Sequence, residues 1–282
     1  MMGPMPRLGR LILLALALLA TRAAAQDSAR VELIFLDVGQ GDAVLVRGPG
    51  NKTALIDAGP RAAHVAQQLA DLGVDTIDLV VASHPHADHI GGMQEVLARF
   101  PVRRYLDNAT RHTTQTYLRL LARVNRLSDT RDSFYLKPLA RTIGLGDVRI
   151  RVFPPPESAA GQNDRSVGLL LEFGEFRAFL PGDAEVVELG HFVASGVPPV
   201  TVLKASHHGA RNGVSPGWIN ATRPEVVVIS VGAWNGYGHP DPWAVRYYGS
   251  HETPVYQTDI HGRIVIRGAR DGTHEVTTQH VP

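Results

Sequence analysis

Two periods of apolar and polar positions alternate along the chain, separated by short clusters of glycine, proline and asparagine. The stretches 31–38 (VELIFLDV), 43–47 and 53–57 have the length and composition of strands, and Gly48-Pro49-Gly50-Asn51 turns the second into the third. The run 77–82 (IDLVVA) is almost continuously apolar, as a strand covered on both faces must be. Similar runs predict strands at 148–153, 167–173, 176–180, 200–205, 225–231, 254–258 and 263–267. Helical spacing appears at 62–72, through Val65, Leu69 and Leu72, and helices are also expected at 93–100, 113–127 and 184–194. In 113–127, Tyr117, Leu120, Leu121, Val124 and Leu127 share one stripe, and Arg119, Arg123 and Arg126 share another.

Strands therefore come in clusters with helices between them in both halves, and each half opens on strand pairs. This predicts an α/β fold with two mixed β-sheets face to face and helices outside, an αβ/βα sandwich of four layers. At 282 residues, 44% hydrophobic and 20% charged, the chain can bury one sizeable core without a second domain. The proline-rich stretch 154–162 reads as a surface loop. Residues 1–25 differ from the rest: Arg7 and Arg10 precede ten apolar residues, 11–20, and Ala23-Ala24-Ala25 offers small residues for cleavage before Gln26. That is the layout of a secretory signal peptide, and ten apolar residues are too few to span a bilayer comfortably. The expectation is a signal peptide at 1–25, a single domain at 26–282, and an exported protein, periplasmic or secreted, without a membrane anchor after cleavage. The absence of cysteine excludes disulfides and thiolate metal ligands.

The net charge of the whole chain, +1, gives no sign of a nucleic-acid partner, but its distribution does. Residues 99–141 carry ten basic side chains against three acidic ones, leaving the rest of 26–282 at −9. One basic face for an anionic partner is implied, with Arg119, Arg123 and Arg126 as candidate substrate-binding residues; a charged helix stripe is otherwise a solvated face. No feature points to a protein partner.

The chemistry concentrates in Ser83-His84-Pro85-His86-Ala87-Asp88-His89-Ile90-Gly91-Gly92. Four potential metal ligands lie within six residues, on the loop after a predicted buried strand. Neutral imidazole suits zinc, and carboxylate suits zinc or manganese. A lone histidine at such a place is more often structural; four in this pattern point to metal.

This motif resembles the HxHxDH signature of the metallo-β-lactamase superfamily. More narrowly, the chain resembles the hydrolase domain of ComEC competence proteins, through 36–42 (LDVGQGD), 55–59 (LIDAG), 83–92, 180–185 (LPGDAE), 203–209 (LKASHHG) and 237–240 (YGHP). The resemblance implies the metallo-β-lactamase sandwich and one or two divalent ions, zinc or manganese. His84 and His86 would bind the first ion, Asp88 and His89 the second, and Asp183 both. His208, favoured over His207, would complete the second ion, and Asp57 would orient the histidines. Such ions make water nucleophilic near neutral pH, with Asp88 orienting it and His207, Lys204 or His239 stabilising charge in the transition state. One departure stands out: the further histidine that many members supply before the bridging aspartate has no obvious counterpart. Only His112 lies in the interval, within the basic segment, and Asn163-Asp164 falls nearer the expected place.

Three functions follow. The leading one is a phosphodiesterase or nuclease acting on DNA or another phosphodiester, carried by the basic segment beside the metal motif. The alternative is a hydrolase of a carbonyl substrate, a β-lactam, lactone or thioester, compatible with export. The third, a metal-dependent binding protein without turnover, is disfavoured because the bridging aspartate and the second ion's ligands are all present.

Overall fold

The computed structural model describes residues 30–132 and 134–281. The expected signal peptide, 1–25, lies outside them. Strands β1 (Arg30–Phe35), β2 (Val44–Gly48), β3 (Lys52–Ile56), β4 (Leu79–Ala82), β5 (Tyr105–Asp107) and β6 (Tyr135–Leu136) build most of a first sheet. β7 (Arg141–Leu145), β8 (Val148–Phe153), β9 (Gly168–Phe173), β10 (Phe176–Leu180), β11 (Val202–Lys204), β12 (Val226–Ile229) and β13 (Val255–Gln257) form the second. The chain then returns with β14 (Ile264–Ala269) and β15 (His274–Thr278) to the far edge of the first. The first sheet has the order β15-β14-β1-β2-β3-β4-β5-β6, and the second β13-β12-β11-β10-β9-β8-β7.

Both sheets are mixed. In the first, β3 through β6 pair in parallel and the remaining pairs are antiparallel. In the second, β10 through β13 are parallel, and β7 through β10 antiparallel. Strand side chains alternate between two apolar layers, so the central strands of both sheets are covered on both faces. Between the sheets, Leu33, Phe35, Val81 and Leu106 meet Ile150, Leu171, Phe176 and Val228. Outside the first sheet, Leu45, Leu55 and Val80 are covered by α1 (Val65–Asp71), α3 (Met93–Arg99) and α4 (Gln115–Ser128), which follow or flank the one-turn α2 (Ala87–Ile90). Outside the second, Leu170, Phe179 and Leu203 are covered by α5 (Val186–Ala194), α6 (Pro216–Thr222) and α7 (Pro242–Tyr248); α8 (Thr258–His261) is a short turn before β14. This is the four-layer sandwich that the sequence predicts. Among the described residues, no helix is long and apolar enough to cross a membrane.

Some boundaries differ for local reasons. The expected helix over 62–72 is broken at His64, whose left-handed backbone (φ 49°) separates a single turn, Arg61–Ala63, from α1. α4 starts two residues late because the Thr114 hydroxyl accepts the Tyr117 N–H and caps it. α6 and α7 lie in segments with no predicted helix. Each is a seven-residue helix started by an N-cap (Ser215, Asp241) followed by proline at its first position.

Parallel strands carry their functional loops at their carboxyl ends. Here Asp57 follows β3, residues 83–89 follow β4, Asp183 follows β10, 206–208 follow β11, and Ser230 follows β12. The two sheets are tied at this edge by Val167 N–H donating to the Ser83 carbonyl (3.0 Å).

Candidate metal centre

Close backbone contacts bring the loops together. Asp42 N–H donates to the Asp88 carbonyl (3.2 Å), Gly59 N–H to the Asp42 carbonyl (2.8 Å), and Ala58 N–H to the His89 carbonyl (2.7 Å). Gly41 is required here: its φ is +138°, and a Cβ would sit 2.2 Å from the Asp88 carbonyl oxygen. Across the sandwich, Asp183 N–H donates to the Ser166 hydroxyl oxygen (3.1 Å), whose own backbone N–H donates to the buried Glu188 carboxyl (3.3 Å).

The result is a cluster in which Asp88, His89, Asp183 and His208 each present one ligand atom, all within 4.8 Å of one another. His208 Nε2 lies 3.3 Å from Asp88 Oδ2 and 3.3 Å from Asp183 Oδ2. His89 Nε2 lies 3.1 Å from Asp183 Oδ2 and 3.9 Å from Asp88 Oδ2. Ligand atoms about 2.0–2.1 Å from a tetrahedral ion stand roughly 3.3 Å apart, so these separations fit a cation at the centre. His208 Nε2 and Asp183 Oδ1 are buried without a hydrogen-bond partner, as atoms reserved for such an ion would be. Beside this set, His84 Nε2 is 3.0 Å from His86 Nδ1 and 3.8 Å from the same Asp183 oxygen.

The far nitrogens fix which face of each ring looks inward. His89 Nδ1–H donates to Asp57 Oδ2 (2.8 Å), and His208 Nδ1–H to the Ser230 carbonyl (2.9 Å), so both turn Nε2 to the centre. Asp57 is held in turn by the backbone N–H and the hydroxyl of Ser83, both at 2.7 Å. Burial opposes a charge on His89 and His208. Asp183 and Asp57 around the first, and Asp183 and Asp42 around the second, outweigh it and hold both rings well above the ordinary imidazole range. Burial similarly opposes the charge on Asp183, yet His208 and His89 keep its carboxyl well below the usual range. Positive charge is in demand at this point, and a divalent ion would supply it by displacing protons. His84 lies well below the imidazole range through burial and the neighbouring His89, and is therefore a neutral donor.

A cleft of about 660 Å³ opens onto the cluster and is lined by His86, Asp88, Asp183 and His208 among others. His207 and His239 stand on its wall, their rings 5.2 Å apart. His207 Nε2 accepts from Asn163 Nδ2 (3.3 Å), its Nδ1 faces Asn212 Oδ1 (3.2 Å), and its side chain stays outside the ligand cluster. His239 is lowered by burial and then by His207, which leaves it neutral near pH 7.

Two expectations are corrected. Lys204 does not face the cleft: it is 1% exposed, its ammonium rests on Asp42 Oδ2 and donates to the Gly182 carbonyl (3.1 Å), and no substrate can reach it. Arg123 is half-buried and lies outside the cleft lining, its guanidinium donating to the Leu97 carbonyl (3.0 Å) in the last turn of α3. Arg119 and Arg126 are exposed on α4, outside the cleft lining. The 36–42 segment carries the resemblance, but no role was expected of Asp42 or Gln40 within it; Asp42 is buried against Lys204 and His208, and Gln40 lines the cleft. Sequence reasoning set His112 aside, yet that ring lies 6.0 Å from His86 on the cleft wall, and Asn163 lines the wall as well.

Comparison with known proteins adds the family. Residues 36–232 match the model of the metallo-beta-lactamase superfamily. The chain belongs to that superfamily. It is 25% identical over 276 residues to ComE operon protein 3 of Bacillus subtilis (strain 168), covering 85% of this chain and 33% of that protein. It is 27% identical over 191 residues to Endoribonuclease ysh-1 of Neurospora crassa, covering 59% of this chain and 22% of that protein. The chain thus spans a third or less of the length of these relatives. Among solved structures, a diphosphatase of the PhnP family superposes with a TM-score of 0.52 at 15% identity, over 84% of this chain and 97% of that one. The fold and the cluster are those of a metal-dependent hydrolase of the superfamily, similar to the ComEC-like competence proteins.

Two predictions follow from these contacts. Asp57→Asn leaves His89 without its anionic acceptor and lowers affinity for a divalent ion about 10- to 100-fold, read by competition with a chromophoric chelator; unchanged affinity would show that Asp57 does not orient the ring. Glu188, whose carboxyl is pushed up to about 10 by burial, with Asp164 and Glu185 adding to it, is protonated in the folded protein. The folded state therefore binds a proton that the unfolded state gives up near 4.5, and stability falls as pH rises across that window. Glu188→Gln removes this loss, so its Tm declines less than that of the wild type between about pH 5 and about pH 9; parallel declines would contradict it.

Proposed function

We propose that the protein is an exported, metal-dependent phosphodiesterase or nuclease. The observation that carries this reading is a cleft that joins a cation-demanding His/Asp cluster to the amino-terminal end of the basic helix α4. Thr114, the N-cap of α4, and His112 both line the cleft, so the positive end of a 14-residue helix helps receive an anion. From Thr114 the helix runs outward about 18 Å to Arg126, with exposed Arg119 between, a path for successive phosphates of a chain. Similarity to an endoribonuclease and to a diphosphatase fold favours phosphorus over carbonyl substrates.

In this reading Asp88, His89, Asp183 and His208 would hold one ion, and His84 and His86, with Asp183, would hold a second, with His112 and Asn163 on the cleft wall beside them. Zinc suits this nitrogen and oxygen set, and manganese suits its carboxylates. A bound divalent ion supplies a nucleophile at neutral pH and charge compensation in the transition state. Asp88, half-buried on the cleft floor, orients the attacking water, its carboxyl kept low, against burial, by His89 and His208. Neutral His239 on the cleft wall donates to the phosphoryl oxygens, and His207, whose two ring nitrogens are engaged by Asn163 and Asn212, stands beside it. Export rests on the pattern of residues 1–25.

The metal-loaded protein is expected to cut linear single-stranded or duplex DNA at low salt, with binding that weakens steeply as salt rises. Arg119→Ala and Arg126→Ala each flatten that salt slope by about one contact. No cleavage of DNA or of a chromogenic phosphodiester, with turnover of a chromogenic cephalosporin instead, would transfer the reading to carbonyl substrates. For export, amino-terminal sequencing of the protein recovered outside the cytoplasm is expected to begin at Gln26; recovery of an intact Met1 terminus from the cytoplasm would contradict it.

A further inference from the structure

Part of the cleft wall is aromatic and takes no part in holding an ion or activating water. Tyr237 lines the cleft and is 72% exposed, and its ring lies nearly parallel to that of His239, with 14° between planes and 6.0 Å between centroids. An aromatic ring stabilises a fold by being buried, so one left in water contributes little to this one. The loop that carries it is cross-tied. Asn235 Nδ2 donates to the Gly232 carbonyl (2.8 Å) and to the His239 carbonyl, and its Oδ1 accepts the Tyr237 and His239 backbone N–H groups, both at 3.1 Å. Gly232 anchors the loop to the 36–42 segment: its N–H donates to Gln40 Oε1 (3.3 Å), and a Cβ there would sit 2.4 Å from the Gln40 nitrogen. The Tyr237 ring is thus presented to the cleft by a braced turn. The rest of the lining restricts what covers it. The His/Asp cluster and the amino-terminal end of α4 call for an anion, and a cleft of about 660 Å³ has room for far more than a phosphate group. A planar ring tethered to a phosphodiester meets both demands.

We propose that Tyr237 is a base-stacking residue: the open face of its ring seats the nucleobase beside the phosphodiester received in the cleft, which makes the substrate a single-stranded nucleic acid. Stacking on an aromatic ring needs no particular base, since every base has a π face, so the subsite selects for an unpaired base and not for a sequence. In a duplex each internal base is already stacked on both sides and has no face to offer. The ring face does the work, so phenylalanine serves in place of tyrosine. Trp234, three residues earlier and 100% exposed, lies outside the cleft lining and has no part in this subsite. The inference rests on the phosphodiester reading of the site and narrows its substrate, and it is read by binding and not by turnover.

The test measures, by fluorescence anisotropy at one fixed salt, how the metal-loaded protein binds a labelled thymidine pentamer and an abasic pentamer of the same length and charge. Phosphorothioate links keep both uncut. The wild type is expected to hold the thymidine pentamer about tenfold more tightly than the abasic one. Tyr237→Ala is expected to bring that ratio close to one, Tyr237→Phe to keep it, and Trp234→Ala to keep it. On a hairpin duplex Tyr237→Ala is expected to cost less than about twofold, because no unpaired base is there to lose. Equal affinity of the wild type for the two pentamers would overturn the inference and leave the phosphodiester reading standing. So would a ratio that survives Tyr237→Ala, one that falls as far in Trp234→Ala, or an equal loss on the duplex. Binding of neither pentamer at any salt would instead remove the phosphodiester reading, and the inference with it.

Discussion

Four carboxylates meet at one edge of the sandwich, and three of them, Asp42, Asp57 and Asp183, are almost wholly buried. Negative charge in that density cannot persist in a dry interior without cations around it. Every other feature of the site answers this constraint: Lys204 neutralises one carboxylate, His89 and His208 are drawn toward protonation, and the ligand atoms of Asp88, His89, Asp183 and His208 stand at separations that fit an ion. Protons and a metal ion compete for the same positions, which makes the centre a cation trap before it is a catalyst.

The sandwich makes this concentration of charge bearable. Each carboxylate or imidazole sits just beyond the end of a parallel strand whose own backbone groups are satisfied within the sheet. The loops are then cross-linked by main-chain hydrogen bonds, from Asp42 to Asp88, from Ala58 to His89 and from Ser83 to Val167. The first sheet supplies Asp57, His84, His86, Asp88 and His89, and the second supplies Asp183 and His208. The centre therefore exists only when the two sheets face each other, so the apolar layer between them and the polar cluster at its rim assemble together. The cleft opens at these strand ends, and the positive end of α4 abuts it.

Much of this was legible in the chain. Continuous apolar runs such as 77–82 announced strands buried on both faces, and the 83–92 motif announced metal. Asp57 accepts from His89, and His208 joins Asp88, His89 and Asp183 in one cluster. What the sequence concealed was direction and depth. A lysine at a strand end reads as solvated, and nothing local says that Lys204 points inward to a carboxylate some 160 residues away in the chain. Arg123 belongs to a helical stripe by spacing, yet α3 lies close enough to capture its guanidinium. His112 seemed too early in the chain to matter, but the turn before Thr114 folds it back against His86. Asp42 lay inside a glycine-rich turn that explained itself without chemistry. In each case a long-range contact decided the role, and periodicity carries no information about those.

The central claim is that a divalent ion sits among Asp88, His89, Asp183 and His208. Anomalous diffraction from crystals grown with zinc or manganese, recorded on both sides of the metal's absorption edge, tests it most directly. The account predicts an anomalous peak within coordination distance of those four side chains. A peak confined to surface histidines, with the cluster closed on itself by hydrogen bonds, would contradict it.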